Sequence, residues 1–161
     1  MDPIHLFFFH ALTLVLFLWL MFGAVCGFEK APDNDMSPHI KISDLLLYYR
    51  LDKNVKAQDV VVLEKNGTRY VGRIAAACGD TVEITPQETL VINGNTIHES
   101  SIYTKTPRYE GFTEYPVTLG ESEYFILCDN RSDGEDSRYY GVVEQDEIIG
   151  TVITVFRRNN I

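Results

Sequence analysis

The sequence predicts an all-β domain of antiparallel hairpins, preceded by a single membrane-spanning helix. Three observations predict it: an uncharged apolar run at the N-terminus, seven short β-branched and aromatic runs after it, and two Asn-Gly pairs set between such runs. Beyond the first run no window keeps a 3.6-residue period, and there is no internal repeat or low-complexity tract.

The apolar run, Ile4 to Phe28, reads IHLFFFHALTLVLFLWLMFGAVCGF and holds no Asp, Glu, Lys or Arg. As a helix of about 25 residues it rises about 37 Å, enough to cross a hydrocarbon core of about 30 Å with some tilt. His5 and His10 lie near one end, where imidazoles reach the interface, and are assigned no chemistry. A cleaved signal peptide calls for a basic start, whereas this chain begins Met1-Asp2-Pro3. A lipoprotein signal at Cys26 calls for a small residue where Val25 stands. Residues 1–28 therefore read as a retained anchor and residues 29–161 as one domain. Lys30, the nearest basic residue, places its flank in the cytoplasm by the positive-inside rule, a bias of one charge only.

The whole chain of 161 residues carries 14 Lys and Arg against 23 Asp and Glu, a formal charge of −9. That balance excludes binding to a phosphate backbone as the main task, so no nucleic acid is expected. The three cysteines, Cys26, Cys78 and Cys128, show no Cys-x-x-Cys spacing, so neither a disulfide framework nor a metal site is predicted, and no cofactor is implied.

After Phe28 the composition turns to Glu, Lys, Pro, Asp and Asn, a turn-rich exit that ends at Pro38. The predicted strands are 45–51, 59–63, 69–74, 81–84, 90–92, 124–127 and 150–156. Lys65-Asn66-Gly67-Thr68 and Ile92-Asn93-Gly94-Asn95 close tight hairpins, because Asn-Gly accepts the positive φ that such turns need. Residues 98–120, rich in Ser, Thr, Tyr, Pro and Gly, are expected to form an excursion. Asn66-Gly67-Thr68 and Asn130-Arg131-Ser132 have the form of glycosylation sequons; a turn already explains the first.

A series of short motifs is more specific than the fold class. After the anchor come Met36-Ser37-Pro38, Ser43-Asp44, Tyr70-Val71-Gly72-Arg73-Ile74, Gly79-Asp80-Thr81-Val82 and Val91-Ile92-Asn93-Gly94. Asp129-Asn130-Arg131 and Asp136-Ser137-Arg138-Tyr139-Tyr140-Gly141 close it. The whole order resembles the type I signal peptidase family across nearly all of the domain. In that family a Ser attacks the scissile carbonyl and a Lys, deprotonated through burial, takes its proton. The resemblance sets Asp35 at the nucleophile's position, Gly72 at the base's, and Gly134 where a Ser commonly supports the lysine. It therefore implies a degenerate member with no catalytic residues, not an enzyme. Ser37, two residues on in an expected extended strand, lies about 6.6 Å beyond Asp35, too far to substitute. Asp35, Ser37 and His39 are too close in sequence to converge as a triad, and Lys41 reads as a solvated side chain.

The resemblance further implies a groove that holds a polypeptide as an extended strand. Its walls are Asp35, Met36, Arg69, Tyr70, Val71 and Gly72, with extra room at Gly72 and a negative charge at Asp35 that favours a basic or amide-rich segment. Asp129, Asn130, Asp136 and Arg138 are expected to be structural. Asp and Gly at positions 35 and 72 resemble the signal-peptidase-like proteins associated with pilus assembly in streptococci. That likeness implies a single-pass protein of the cell membrane with its domain extracellular, an accessory or chaperone-like factor whose partners are pilin subunits or a pilus sortase. Two other readings stand beside it: an active serine-type signal peptidase using a non-standard nucleophile or base, and a purely structural domain. An open strand edge beside Gly72 favours binding; a closed one favours scaffold. Cys78 and Cys128 stand where the family has Pro and Gly, and a disulfide between them is a minor expectation.

Overall fold

The computed structural model describes residues 3–52, 54–100, 102 and 104–157; the outer ends of the two segments read from the sequence, 1–2 and 158–161, lie outside them. Helix α1, Pro3–Leu20, continues through a π-helical turn, Met21–Val25. Together they are long and apolar enough to cross a membrane, and no described residue of α1 is buried against the domain.

Strand β1 follows at once, Cys26–Lys30, so the helical part of the predicted anchor ends at Val25. Cys26, Gly27 and Phe28 continue the apolar composition of the helix, but they pair with β2, Leu45–Tyr49, with Cys26 opposite Tyr49 and Lys30 opposite Leu45. Phe28 stacks on Phe22, their ring centroids 5.9 Å apart, which ties strand to helix.

The remaining strands are β3 (Val60–Lys65), β4 (Thr68–Ala76), β5 (Thr81–Ile84), β6 (Leu90–Ile92), β7 (Asn95–Thr96), β8 (Val117–Thr118), β9 (Glu123–Leu127), β10 (Val143–Glu144) and β11 (Ile148–Phe156). A short helix, α2 (Ser137–Tyr140), precedes β10. A seven-stranded sheet runs in the order β1-β2-β11-β3-β4-β9-β10, and a four-stranded sheet in the order β7-β6-β5-β8. Every pairing is antiparallel. This is the all-β architecture with one N-terminal apolar helix that the sequence predicts. Each predicted run contains a strand; β1, β7, β8 and β10 are additional.

Both Asn-Gly turns have φ positive at both residues, 54° and 78° at Asn66 and Gly67, 53° and 77° at Asn93 and Gly94. That is the type I′ geometry whose twist matches the strands it joins. The central strand β3 buries Val61, Val62 and Leu63 in succession because it is covered on both faces. Val62 joins a core with Ala31, Met36, Ile40, Leu46, Tyr48, Val71 and Cys128. Val61 and Leu63 join a second, with Ile74, Tyr124, Ile126, Val143 and Ile148. A third core joins the small sheet to Phe125 and Leu127.

Among its described residues the stretch 98–120 contributes only β8 to the sheets, and it is tied to the loop after β9. Arg131 reaches Thr106 Oγ1 at 2.9 Å and Glu99 at 2.6 Å, and the Tyr109 hydroxyl donates to the Gly134 carbonyl at 2.9 Å. All three cysteines are free thiols, Cys78 exposed and Cys128 buried, so the minor expectation of a disulfide between them is set aside.

Candidate functional site

Asp35 stands on a turn. Ser37 N donates to Asn34 O at 2.9 Å, Ile40 N to Met36 O at 2.8 Å, and Asp35 N to Asp33 Oδ1 at 2.9 Å. The extended strand expected at Asp35 to Ser37 is thus replaced by a compact turn, since Asp33 and Asn34 supply the acceptors that bend it. Met36 anchors the turn in the core beside Val71 and Cys128. Across from it, Asn130 N donates to Asp35 O at 2.8 Å and Glu135 N to Asp35 Oδ2 at 2.9 Å. Half-burial pushes the Asp35 carboxyl above the ordinary carboxylate range; the Glu135 amide opposes this, and the charges of Asp33, Glu135 and Asp136 add to it.

The facing loop is built on two buried carboxylates. Asp136 caps α2 and grips Arg138 through both oxygens, at 2.8 and 2.7 Å, with both side chains wholly buried. The same carboxylate accepts Cys128 N at 3.0 Å, while Arg138 donates to Arg131 O at 2.6 Å and lies over the Tyr109 ring. Asp129 accepts Arg73 through both oxygens, at 2.8 and 2.7 Å, and meets His39 Nδ1 at 2.9 Å. These bidentate pairs fix the loop that presents Asn130 and Glu135 to Asp35. A Cβ on Gly134 would press on Cys128 and on Asn130 O, so a glycine lets the loop close here.

Strand β4 supplies the other wall. It pairs with β3 from Thr68 to Arg73, but with β9 only from Arg73 to Ala76. Thr68 to Gly72 thus have a strand partner on one side only. Strand β1, at the end of the sheet, also has a single partner. The sheet curls so that these two free edges approach, and Glu29 of β1 hydrogen-bonds Arg69 of β4.

The six residues expected to line one groove divide. Met36, Val71 and Gly72 are buried, Arg69 is exposed, and Asp35 and Tyr70 are half-buried. The room expected at Gly72 is absent, because Ile126 Cγ2 occupies the place of a Cβ there. Tyr70 instead packs on Tyr140, ring centroids 4.8 Å apart, and burial pushes the Tyr140 hydroxyl well above its usual range. The sequence gives no sign of Glu29 or Glu135 at the site, since β1 lies hidden in the apolar run and Glu135 lies just before a recognised motif; Tyr140 stands within that motif, but nothing local indicates its contact with Tyr70. Lys41 is exposed. The most voluminous recess among those described, about 650 Å³, lies between the small sheet and residues 108–115, and none of these site residues lines it.

The chain matches the family model "Signal peptidase, peptidase S26" over residues 4–157. It is 28% identical over 136 residues to "Probable signal peptidase I-2" of Synechocystis, covering 78% of this chain and 60% of that protein. It is 35% identical over 106 residues to "Signal peptidase I S" of Bacillus subtilis, covering 61% of this chain and 57% of that protein. To "Signal peptidase I U" of the same organism it is 28% identical over 162 residues, covering 90% and 84%. The chain thus spans 60% or less of the length of the first two relatives and most of the third. Among solved structures, a signal peptidase I from Enterococcus faecalis is similar, with a TM-score of 0.50 and 30% identity over 63% of this chain and 97% of that one.

These matches overturn the expectation that the chain is not an enzyme. The family model is that of a peptidase, and the relatives are named signal peptidases I. Short motifs alone set Asp35, Gly72 and Gly134 against catalytic positions, whereas the family as a whole points to an active peptidase. The match from Ile4 to Arg157, together with the antiparallel β-fold and its apolar leading helix, places this chain in the signal peptidase family, peptidase S26.

Proposed function

We propose that this protein is a membrane-anchored peptidase that acts on exported polypeptides, taken as an extended strand along the free edge of β4 beside Asp35. The observation that carries the reading is the half-paired β4: Thr68 to Gly72 offer one unpartnered backbone edge next to the turn that holds Asp35. Strand addition gives a polypeptide main-chain hydrogen bonds without regard to most of its side chains, which suits a peptidase with many clients. Its chemistry is of a non-standard kind. Asp35 is the carboxyl beside the edge, raised by burial above its ordinary value, and Ser37 is the hydroxyl of the same turn. The apolar helix anchors the domain on the extracellular side. The likeness of Asp35 and Gly72 to pilus-associated members supports pilin subunits as clients and a pilus sortase as partner.

The test is cleavage of exported precursors, pilin subunits included, by the full chain in detergent, compared with Asp35→Asn and Ser37→Ala. We expect cleavage by the wild-type chain and at least roughly a hundredfold loss of kcat in Asp35→Asn, the size of a general-base contribution. Failure of the wild-type chain to cut any precursor overturns the proposal. Protease accessibility on intact cells tests the orientation.

A further inference from the structure

The proposed groove rests on two free strand edges, and an ion pair stands between them. Glu29 lies directly opposite Leu46 in the β1–β2 register, and Leu46 is wholly buried in the first core. Directly opposed residues share a face of the sheet, so Glu29 points to the inner face. Arg69 lies two residues before Val71, a member of the same core, and so projects from the same face of β4. The two side chains meet across the seam between β1 and β4, close to the end of the membrane helix. Arg69 has a second carboxylate within its own hairpin: Glu64 is its cross-strand neighbour, with Oε2 3.4 Å from Arg69 Nε.

We propose that Glu29 and Arg69 form a latch across the groove, which an entering polypeptide opens by releasing Arg69 from Glu29 and leaving it on Glu64, to which its Nε already donates. This rests on the reading of the β1–β4 seam as the polypeptide site. Three features suit a latch. The contact joins the two edges that a polypeptide strand would separate. Arg69 is 51% exposed, so the pair sits in a high-dielectric setting where ion pairs are weak and exchange easily. Glu64 keeps the guanidinium paired after opening, so the open state leaves no cation without a partner. The arrangement makes Arg69 a shared cation between a closed state and an open one, and the balance depends on which carboxylate is the better acceptor.

The test uses two isosteric changes with opposite expected effects, read as photo-crosslinking of a synthetic peptide by the full chain in detergent. The probe is an apolar stretch ending in Ala-x-Ala and carrying one photoreactive residue. Glu29→Gln removes the closed-state acceptor and is expected to raise capture about two- to fivefold, the range of one exposed ion pair. Glu64→Gln removes the open-state acceptor and is expected to lower capture by a similar factor. Capture by the wild-type chain should rise between roughly 0.01 and 1 M salt, as screening weakens the latch, and Glu29→Gln should lose that rise. Changes of the same sign in both variants, or no change in Glu29→Gln, overturn the latch while leaving the groove intact. Absence of capture by all variants, with unfolding unchanged, overturns the groove and the latch with it.

Discussion

Asp35 and Glu135 lie 100 residues apart in sequence, yet the Glu135 amide donates to Asp35 Oδ2 at 2.9 Å. This bond, with the one from Asn130 N to Asp35 O, joins the turn after β1 to the loop before α2. It also gives the Asp35 carboxyl an environment that resists ionisation, because burial outweighs the single amide that stabilises the charge.

That environment predicts a pH signature. A carboxyl whose folded pKa is raised binds protons more readily in the folded state, so its contribution to stability is present at low pH. It is lost as pH rises from the ordinary carboxylate value through the raised one. Asp35→Asn keeps an acceptor for the Glu135 amide and removes the titration. Urea unfolding between pH 3 and 8 should show the variant gaining on the wild-type chain as pH rises.

Gly72 and Ile126 occupy one space. Gly72→Ala is expected to lower stability by about 1–3 kcal/mol through overpacking. Ile126→Ala, costly alone, should recover part of that loss in combination, because it removes Cγ2, the atom that meets the new Cβ. A double-mutant cycle by urea unfolding checks the coupling, and additive effects would refute the steric account.

Asp136 and Arg138 form a buried ion pair whose partners also hold Cys128 N and Arg131 O. Asp136→Ala leaves an unpaired buried guanidinium and should cost about 3–5 kcal/mol. The loss should appear in the urea midpoint, with chains that fold showing little change in m-value.

Strand β1 starts at Cys26, ahead of the boundary that composition suggests. A chain beginning at Glu29 would lack Cys26, Gly27 and Phe28 and their pairing with Tyr49, Tyr48 and Leu47. It should unfold at lower temperature than one beginning at Cys26, measured by thermal denaturation. Equal stability of the two would show that β1 contributes little to the sheet.

The fold class was legible because its signals are local. An uncharged apolar run, β-branched runs and two Asn-Gly turns state an apolar helix long enough to cross a membrane, and hairpins, without reference to anything distant. The strands that escaped notice are those without a local signal. Cys26-Gly27-Phe28 shares the composition of the helix, and β7, β8 and β10 have two residues each, too few for alternation to show.

The candidate site was legible as identities and not as an arrangement. The motifs located Asp35, Tyr70, Gly72, Asp129 and Asp136, but a list of residues does not say which are buried or what fills the space beside them. By itself the sequence determined the apolar helix, the hairpins and the residues available for chemistry, since each depends on near neighbours in the chain. Only the tertiary structure decided that Ile126 closes the space at Gly72, that Glu135 holds Asp35, and that Glu29 meets Arg69 across two free edges. Those relationships depend on how the sheet curls and how a distant loop packs on it, and no periodicity within a short window encodes either.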